Sequence, residues 1–215
     1  MEDKERIRRS CLNIIKVTSL LYQKGLIAGA DGNVSLRLST EGPVLITPSG
    51  CHKGLLTPED ILTVGLDGEV INGNGRPSSE LWMHLFIYSR IPEAMAIVHA
   101  HPPWTLALDL AGLNPSQHVL AEGYHFLGKI PVVGFYPPGS KDLANKVANV
   151  ATNAKVIVLE QHGAVTWART LESALCLMES LEHESKVMVI TQAIAPQPEK
   201  LQEKIHRIRS ALEGL

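Results

Sequence analysis

The stretch Ala96–Trp104, AIVHAHPPW, runs through three apolar residues into His99, then His101, then two prolines. An apolar run that ends at proline predicts a short buried strand. Because side chains alternate between the two faces of a strand, His99 and His101 are expected to project from the same face. Two imidazoles side by side at a strand end form a ready pair of metal ligands.

A third candidate ligand lies far downstream. The segment Val156–Val165, VIVLEQHGAV, is a second apolar run that carries His162 to a glycine, again at a predicted strand end. Three neutral imidazoles with an open fourth position are typical of a catalytic zinc site. Taken alone the pattern is weak, because a histidine near an apolar run is more often an ordinary core or surface residue.

Composition sets the broad class. The chain has 215 residues, 45% of them hydrophobic, which predicts one globular domain spanning 1–215, with 196–215 as a C-terminal helical extension. A net charge of -2 argues against nucleic acid or an anionic membrane as a partner. The three cysteines are scattered and odd in number, and no signal-type apolar segment follows the charged N-terminus. We therefore expect a cytoplasmic protein.

Periodicity predicts helices that flank several short strands, which is typical of an α/β sandwich. The predicted helices are Glu2–Lys24, Pro77–Ser89, Pro102–Ala111, Gly139–Asn153, Thr170–Ile194 and Glu199–Leu212, with Pro196 and Pro198 between the last two and a further helix start at Leu56–Asp60. The predicted strands are Val34–Leu38, the start of Val44–Lys53, a hairpin of Ile61–Leu66 with Glu69–Ile71, Lys129–Tyr136, and two strands within Lys155–Trp167. The segment Asn114–Gly128 has no regular pattern.

Two loops of small residues are candidates for binding an anion. In Leu26–Ser39, LIAGADGNVSLRLS, the side chains of Asn33 and Ser35 could donate hydrogen bonds. In Val44–Lys53, VLITPSGCHK, a strand ends in Thr-Pro-Ser-Gly, and hydroxyl and backbone N–H donors in one small volume suit a phosphate. Each loop is also compatible with an ordinary turn.

The opening of the helix at Pro77–Ser89, PSSELWMHLFIYS, has two interpretations. In one, Ser78 or Ser79 caps the helix and Glu80 complements its dipole. In the other, the hydroxyls and the helix N-terminus hold a phosphate, and Glu80 reaches the metal as an acid/base. His84 shares a helix face with Glu80 and is either its partner or a structural residue.

Together these stretches resemble the class II aldolase/adducin family, and within it the fuculose-phosphate aldolase branch. The resemblance covers about residues 25–194, and although each motif is weak alone, their joint order and spacing are specific. The motifs are GNVSLR at Gly32–Arg37, TPSG at Thr47–Gly50, PSSELWMH at Pro77–His84, VHAH at Val98–His101 and QHG at Gln161–Gly163.

The resemblance implies an α/β/α sandwich around a nine-stranded, mainly antiparallel sheet, assembled as a homotetramer with active sites between neighbouring subunits. It implies Zn2+ held by His99, His101 and His162, with Glu80 as the catalytic acid/base that also touches the metal in the empty site. The implied phosphate pocket consists of Asn33, Ser49, Gly50, Ser78 and Ser79.

The implied reaction is aldol cleavage of a ketose 1-phosphate to dihydroxyacetone phosphate and an aldehyde. Zinc would stabilise the enediolate that cleavage leaves, and Glu80 would return a proton to its carbon. The fuculose-phosphate enzymes use a tyrosine of the adjacent subunit as the aldehyde-side proton donor. Tyr124 is the candidate here, although it does not fall cleanly on the family position.

Other members of the fold are alternatives. Methylthioribulose-phosphate dehydratases keep the glutamate and the metal histidines, whereas 4-epimerases carry an aspartate in place of Glu80. Decarboxylase or hydroxybenzoate-related members are a further alternative, ranked below these. A non-enzymatic, adducin-like interaction module is disfavoured because such relatives lack the full metal set that is present here. Three imidazoles also accept several divalent ions besides zinc.

Overall fold

The computed structural model describes residues 2–194 and 198–212. The helices are α1 Glu2–Gln23, α2 Leu81–Arg90, α3 Pro103–Leu110, α4 Ala121–Leu127, α5 Lys141–Ala151, α6 Leu171–Ile194 and α7 Pro198–Leu212. The strands are β1 Asn33–Arg37, β2 Val44–Ile46, β3 Leu62–Val64, β4 Val70–Asn72, β5 Ala96–Ala100, β6 Val132–Val133, β7 Val156–Leu159 and β8 Gly163–Ala168. In this part of the chain, no helix combines the length and the apolar character needed to cross a bilayer.

The strands form a single mixed sheet. Its order is β4-β3-β2-β1-β5-β8-β7-β6, and every neighbouring pair is antiparallel except β6 and β7, which are parallel. The α/β fold with a mainly antiparallel sheet is therefore confirmed. The expectation of nine strands is not met within the described residues, which form eight.

An apolar cluster covers each face of the sheet, so the molecule has three layers. Alternation along each strand sends successive side chains to opposite faces. One cluster joins α1 and α6 to the sheet through Ile14, Met178, Val34, Val98 and Val156. The other joins α2 and α5 to the opposite face through Ile87, Val147, Ile97, Ile157 and Val165. All ten side chains are buried.

Carboxylates of α6 hold the start of two other helices. Glu182 accepts the backbone N–H groups of Trp104 and Thr105 at 2.9 and 3.0 Å, at the start of α3. Glu184 accepts those of Val119 and Leu120, just before α4. The first N–H groups of a helix lack partners within the helix, and a carboxylate there both satisfies them and complements the dipole. The orientations of α3 and α4 thus depend on α6.

Several predicted segments differ from the structure. Asn114–Gly128, expected to be irregular, contains α4, because Glu184 provides a helix start that local sequence does not show. Lys129–Tyr136 is paired as a strand only at Val132–Val133. The helix start predicted at Leu56–Asp60 is a single 3-10 turn, in which Thr57 and Asp60 form a capping box.

The helix predicted from Pro77 begins instead at Leu81. Pro77 forms an isolated β-bridge with Pro48, and the backbone N–H of Ser49 donates to the carbonyl of Arg76 at 2.9 Å. This pairing keeps the chain before α2 extended alongside the Thr-Pro-Ser-Gly turn. It brings two of the sequence motifs together.

The C-terminal region is described in part. α7 occupies most of the predicted extension at 196–215, whereas the predicted break at Pro196 lies outside the described residues.

Arg37 ties the end of β1 to the connection between α2 and β5. Its guanidinium is buried and lies over the ring of Tyr88, with 4.9 Å from Cζ to the ring centroid. It donates to five backbone carbonyls at 2.7–3.2 Å, those of Thr40, Tyr88, Ile91, Pro92 and Ala94.

We predict that Arg37→Met lowers the free energy of unfolding by about 2–4 kcal/mol, because it leaves several buried carbonyls without a donor. Urea denaturation of the two proteins measures the difference. Arg90→Met is the control, since Arg90 is exposed and makes one side-chain hydrogen bond, to Asn145. Its cost should stay below about 1 kcal/mol. Equal losses in the two variants would contradict a special role for Arg37.

Candidate metal centre and active site

The register of the central strands assembles the site. In the β1–β5 pair, Asn33 lies directly opposite His99, and in the β5–β8 pair, Val165 lies opposite His99. Directly paired residues project from the same face of a sheet, so Asn33 and His99 both face the α2 and α5 layer. His101 follows the last residue of β5, and His162 belongs to the turn between β7 and β8. The three histidines therefore meet at one end of the sheet.

The distances between these histidines suit a metal ion. The ring centroid of His99 is 5.0 Å from that of His101 and 4.9 Å from that of His162. One ligand atom from each residue lies within 4.8 Å of the others, and the Nε2 atoms of His99 and His101 are 3.2 Å apart. Two nitrogens bound to a tetrahedral zinc ion would be about 3.3 Å apart. The cluster can hold a divalent metal with little rearrangement.

The tautomers also favour a metal. The Nδ1 atom of His99 is 3.0 Å from the carbonyl oxygen of Ala164, so it donates its proton there and leaves the lone pair on Nε2. The Nδ1 atom of His101 lies 3.8 Å from the Asp31 carboxylate, which favours the same tautomer. In these tautomers the Nε2 atoms of His99 and His101, 3.2 Å apart, both carry lone pairs, which repel each other unless a cation lies between them. The donor set therefore fits a bound cation.

Burial keeps these imidazoles in the form that binds metal. It lowers the pKa of His99 well below its ordinary value, with a further contribution from the other two histidines, and it lowers the pKa of His162 to about 4. Metal ligation requires neutral imidazole. The cluster is thus poised to bind a divalent ion at neutral pH.

The turn that carries His162 is held in an unusual conformation. Gln161 has φ 55°, a left-handed value that no other non-glycine residue in the described ranges adopts, and its N–H donates to the Asp109 carboxylate at 2.7 Å. A Cβ atom on Gly163 would lie 2.7 Å from the His101 ring and would overlap the carbonyl of Ala100. Such strain persists where the surrounding structure enforces it. Asp109 and Gly163 thus fix the direction of His162.

Glu80 lies beside the histidines. Its side chain is buried, and its Oε1 atom is 3.9 Å from Nε2 of His162. Burial raises the pKa of Glu80, partly offset by a hydrogen bond from the backbone of Gly139. The N-cap of α2 is Glu80, and neither Ser78 nor Ser79 occupies that position. The backbone N–H of Glu80 donates to Oγ of Ser78 at 3.2 Å. The carboxyl group is left free to exchange a proton with a ligand of the metal centre.

One cavity of about 270 Å³ brings the predicted residues together. All the residues predicted as metal ligands, as catalytic groups or as the phosphate pocket line it except Gly50 and Tyr124. Gly50 follows Ser49 in the Thr-Pro-Ser-Gly turn with φ +72°, outside the lining. The predicted residues in the lining are Asn33, Ser49, Ser78, Ser79, Glu80, His99, His101 and His162, and the others are Ala30, Asp31, Gly32, Pro48, Lys53 and Pro138.

A buried chain of hydrogen bonds orients Asn33. Its Oδ1 atom is 2.5 Å from Nε2 of His84, whose Nδ1 atom is 2.6 Å from Oγ of Ser35, which in turn is 2.7 Å from the Tyr88 hydroxyl. Burial lowers the pKa of His84 to about 3, so one ring nitrogen donates and the other accepts. If Nε2–H donates to Asn33, the amide NH2 of Asn33 is left for the cavity. Ser35 faces α2, so the expectation that it binds an anion is wrong.

Tyr124 lies elsewhere in the molecule. It is on α4, its ring centroid is 5.9 Å from that of His118, and it lines a larger cavity of about 830 Å³. Sequence reasoning missed Asp31, Lys53 and Asp109. Asp31 and Lys53 lie within the two predicted anion-binding loops, whereas nothing in the local pattern marks Asp109.

Comparison with known proteins places these features in context. The family model described as "Class II Aldolase and Adducin N-terminal domain" matches residues 13–189. The chain is 33% identical over 195 residues to the 3-oxo-tetronate 4-phosphate decarboxylase of Escherichia coli, covering 88% of this chain and 91% of that protein. It is 38% identical over 173 residues to the L-fuculose phosphate aldolase of Methanococcus vannielii, covering 80% and 92%.

Solved structures agree with the sequence comparison. The crystal structure of L-fuculose-1-phosphate aldolase from Thermus thermophilus superimposes with a TM-score of 0.78 at 30% identity, covering 86% of this chain and 95% of that one.

We predict that His162→Ala lowers the affinity for zinc by about a hundredfold or more, since loss of a hydrogen-bond partner to a ligand alone costs 10–100-fold. Titration calorimetry with zinc, and metal analysis after dialysis, measure this. His125→Ala, at an exposed position on α4, serves as the control and should keep the parent's affinity. Full zinc occupancy in the His162 variant would contradict the assignment of the triad.

We predict that the metal-free protein loses stability as the pH falls below about 6.5, and that His84→Gln reduces this loss. The pKa of His84 is about 3 in the folded state and near 6.5 in the unfolded chain. The unfolded chain therefore binds more protons between these values, and stability falls by up to about 1.4 kcal/mol per pH unit for this histidine. Urea unfolding at several pH values tests it, with His125→Gln as the control. An unchanged pH slope for His84→Gln would refute the prediction.

Proposed function

The chain belongs to the class II aldolase and adducin family and is an enzyme, and on that premise we propose that it cleaves a carbon–carbon bond in a phosphorylated keto sugar. The reaction proposed first is aldol cleavage of a ketose 1-phosphate, of the L-fuculose 1-phosphate type, to dihydroxyacetone phosphate and an aldehyde. The observation that carries this proposal is the position of the buried Glu80 carboxyl beside three histidines, in a cavity also lined by Asn33, Ser49, Ser78 and Ser79.

His99, His101 and His162 would hold one divalent ion, for which zinc is the first candidate because three imidazoles with an open position are its usual catalytic ligand set. When bound, such an ion acts as a Lewis acid that stabilises negative charge on the ketone and hydroxyl oxygens of the substrate. In our proposal, Glu80 also contacts the metal when no substrate is present. Its 3.9 Å distance from His162 is compatible with that.

The phosphate would be held by Asn33, Ser49, Gly50, Ser78 and Ser79. The amide of Asn33 and the serine hydroxyls line the cavity and can donate to phosphate oxygens, while Gly50 would contribute its backbone. Anchoring the phosphate fixes the reacting carbons relative to Glu80, which lowers the entropic cost of reaching the transition state.

Glu80 would manage the proton on the reacting carbon. When the bond breaks, its electron pair stays on the phosphate-bearing fragment as an enediolate, and Glu80 donates a proton to that carbon to give dihydroxyacetone phosphate. In the direction of synthesis the carboxylate removes the same proton. A pKa raised by burial suits both roles, because general acid–base catalysis is most efficient when the pKa lies near the working pH.

A decarboxylase is the second candidate, favoured by the 33% identity to 3-oxo-tetronate 4-phosphate decarboxylase over 88% of this chain. In such a substrate the carboxylate is β to the ketone, so loss of carbon dioxide leaves the same enediolate of dihydroxyacetone phosphate. Glu80 would protonate it in the same way. The two reactions differ in the leaving group. In aldol cleavage, the hydroxyl on the carbon that becomes the aldehyde must give up its proton. In decarboxylation, carbon dioxide leaves from the ionised carboxylate without any proton transfer.

We further propose that the enzyme is a homotetramer and that the aldehyde-side proton is handled across a subunit boundary. Tyr124, the candidate for that role, does not line the histidine cavity of its own protomer, which is compatible with action in a neighbouring one. Three large apolar side chains are exposed and would be buried if they lay in a subunit interface, namely Leu110 on α3, Phe126 on α4 and Phe135 after β6. Sedimentation analysis measures the assembly, and a monomer with full activity would contradict this part of the proposal.

The decisive experiment is product analysis with zinc-loaded protein. The panel contains fuculose and rhamnulose 1-phosphates, ribulose 5-phosphate, methylthioribulose 1-phosphate and 3-oxo-tetronate 4-phosphate. Dihydroxyacetone phosphate that appears with an aldehyde identifies the aldolase, and dihydroxyacetone phosphate with carbon dioxide identifies the decarboxylase. Loss of water or inversion at one carbon, without dihydroxyacetone phosphate, would replace both with a dehydratase or an epimerase.

We predict that Glu80→Gln lowers kcat by about 10²–10⁴ while leaving zinc content and thermal stability near those of the parent, since the amide keeps the shape of the side chain but cannot exchange the proton. Steady-state kinetics on the best substrate of the panel measures this. Glu69→Gln, at an exposed position just before β4, is the matched control. Turnover within a few-fold of the parent would rule out the acid/base role of Glu80.

A further inference from the structure

Lys53 is a buried cation in the wall of the histidine cavity. It follows the Thr-Pro-Ser-Gly turn, and only 2% of it is exposed. Its Nζ atom donates to the carbonyls of Ala30, Pro48 and Cys51 at 2.8, 3.0 and 3.0 Å. All three ammonium protons are thereby used.

These contacts connect the two loops that reach the cavity. Ala30 belongs to the loop that leads into Asn33, and Pro48 precedes Ser49 in the second loop. The backbone N–H of Lys53 also donates to the carbonyl of Gly29 at 2.8 Å. Lys53 therefore links the two loops beyond the point where the pairing of β1 with β2 and the hydrogen bonds between Val34 and Thr47 already hold them together.

The charge of Lys53 has no close counter-charge. Within residues 2–194 and 198–212, no carboxylate forms an ion pair with its Nζ atom. Burial lowers the pKa of Lys53, while the side chains of Cys51 and Asp31 oppose that shift. A buried charge is costly unless it is paired, and three carbonyl dipoles compensate only part of that cost. Lys53 lines the cavity, and its ammonium contacts Ala30 and Pro48, which line it too. The missing partner is therefore expected to be an anion that enters the cavity.

Arg37 provides the structural contrast. It is also a buried cation surrounded by backbone carbonyls, and it lies at the opposite end of β1. It does not line the histidine cavity, and its contacts explain it as a purely structural residue. Lys53 differs because the hydroxyls of Ser49, Ser78 and Ser79 line the same small cavity.

We propose that Lys53 is the positioning residue of the anion subsite: its buried ammonium holds the loops of Asn33 and Ser49 together and supplies the positive charge for a phosphate monoester. The inference rests on the proposed function in one respect, namely that the substrate carries a phosphate. It adds a cation to a pocket that otherwise consists of neutral donors.

The test is the affinity for inorganic phosphate, measured by titration calorimetry on the full chain at constant ionic strength, with chloride as the reference anion. Lys53→Met should weaken phosphate binding at least about tenfold, because it removes a positive charge beside the cavity in which the dianion would bind. Lys53→Arg should restore part of the affinity. Arg37→Met, which also removes a buried cation, should bind phosphate as the parent does.

Three results would overturn the proposal. They are phosphate affinity within twofold of the parent in Lys53→Met, an equal loss of affinity in Arg37→Met, and failure of the parent to bind phosphate at all. If Lys53→Met does not fold, nuclear magnetic resonance of the 15N-lysine-labelled parent replaces it. The buried, slowly exchanging ammonium resonance must then shift on addition of phosphate but not of chloride, and a resonance that does not move counts against the proposal.

Kinetics separates this proposal from the proposed reaction. On a phosphorylated substrate that is turned over, Lys53→Met should raise KM about tenfold or more with kcat changed much less. Phosphate affinity needs no turnover, so a loss of affinity in Lys53→Met supports the role of Lys53 even if no substrate of the panel is cleaved. Conversely, turnover with an unchanged KM would remove Lys53 from the subsite and leave the reaction intact.

Discussion

The antiparallel pairing of β5 with β1 on one side and with β8 on the other is the contact on which the rest of the structure depends. It sets Asn33 directly opposite His99, and it brings the turn that carries His162 to the end of β5. A slip of one residue in either ladder would send a whole strand's side chains to the other face. Metal ligands and anion-binding groups would then lie on opposite sides of the sheet. The apolar clusters on both faces stabilise the one register that unites them.

Most of the fold could be predicted from local patterns because the elements are amphipathic or bounded by glycine and proline. The hairpin of β3 and β4, the strand of His99 and the long helix α6 are of this kind. The segments that differed are set by distant partners. α4 starts where Glu184 accepts the N–H of Leu120, 64 residues away along the chain. The start of α2 is delayed by the bridge between Pro48 and Pro77.

The candidate site likewise contains residues that local sequence indicates and residues whose roles are set by distant contacts. Histidines and a glutamate in short motifs could be recognised because few residue types perform metal and proton chemistry. Lys53 and Asp109 could not, because what matters is the direction of their side chains: one joins three carbonyls from two loops, and the other accepts the N–H of Gln161. Ser35 was misjudged for the same reason. Its hydroxyl points under α2 to His84 and Tyr88, a direction that only the packing of that helix decides.

The polar cavity lies at the ends of strands and in turns, whereas the residues that stabilise the fold lie in the two apolar layers. This separation has an evolutionary consequence. Mutations in the turns can alter which group leaves the substrate without weakening the core, so selection can explore new reactions on an unchanged scaffold. Relatives named as a decarboxylase and as an aldolase, at 33% and 38% identity to this chain, are what such divergence would produce.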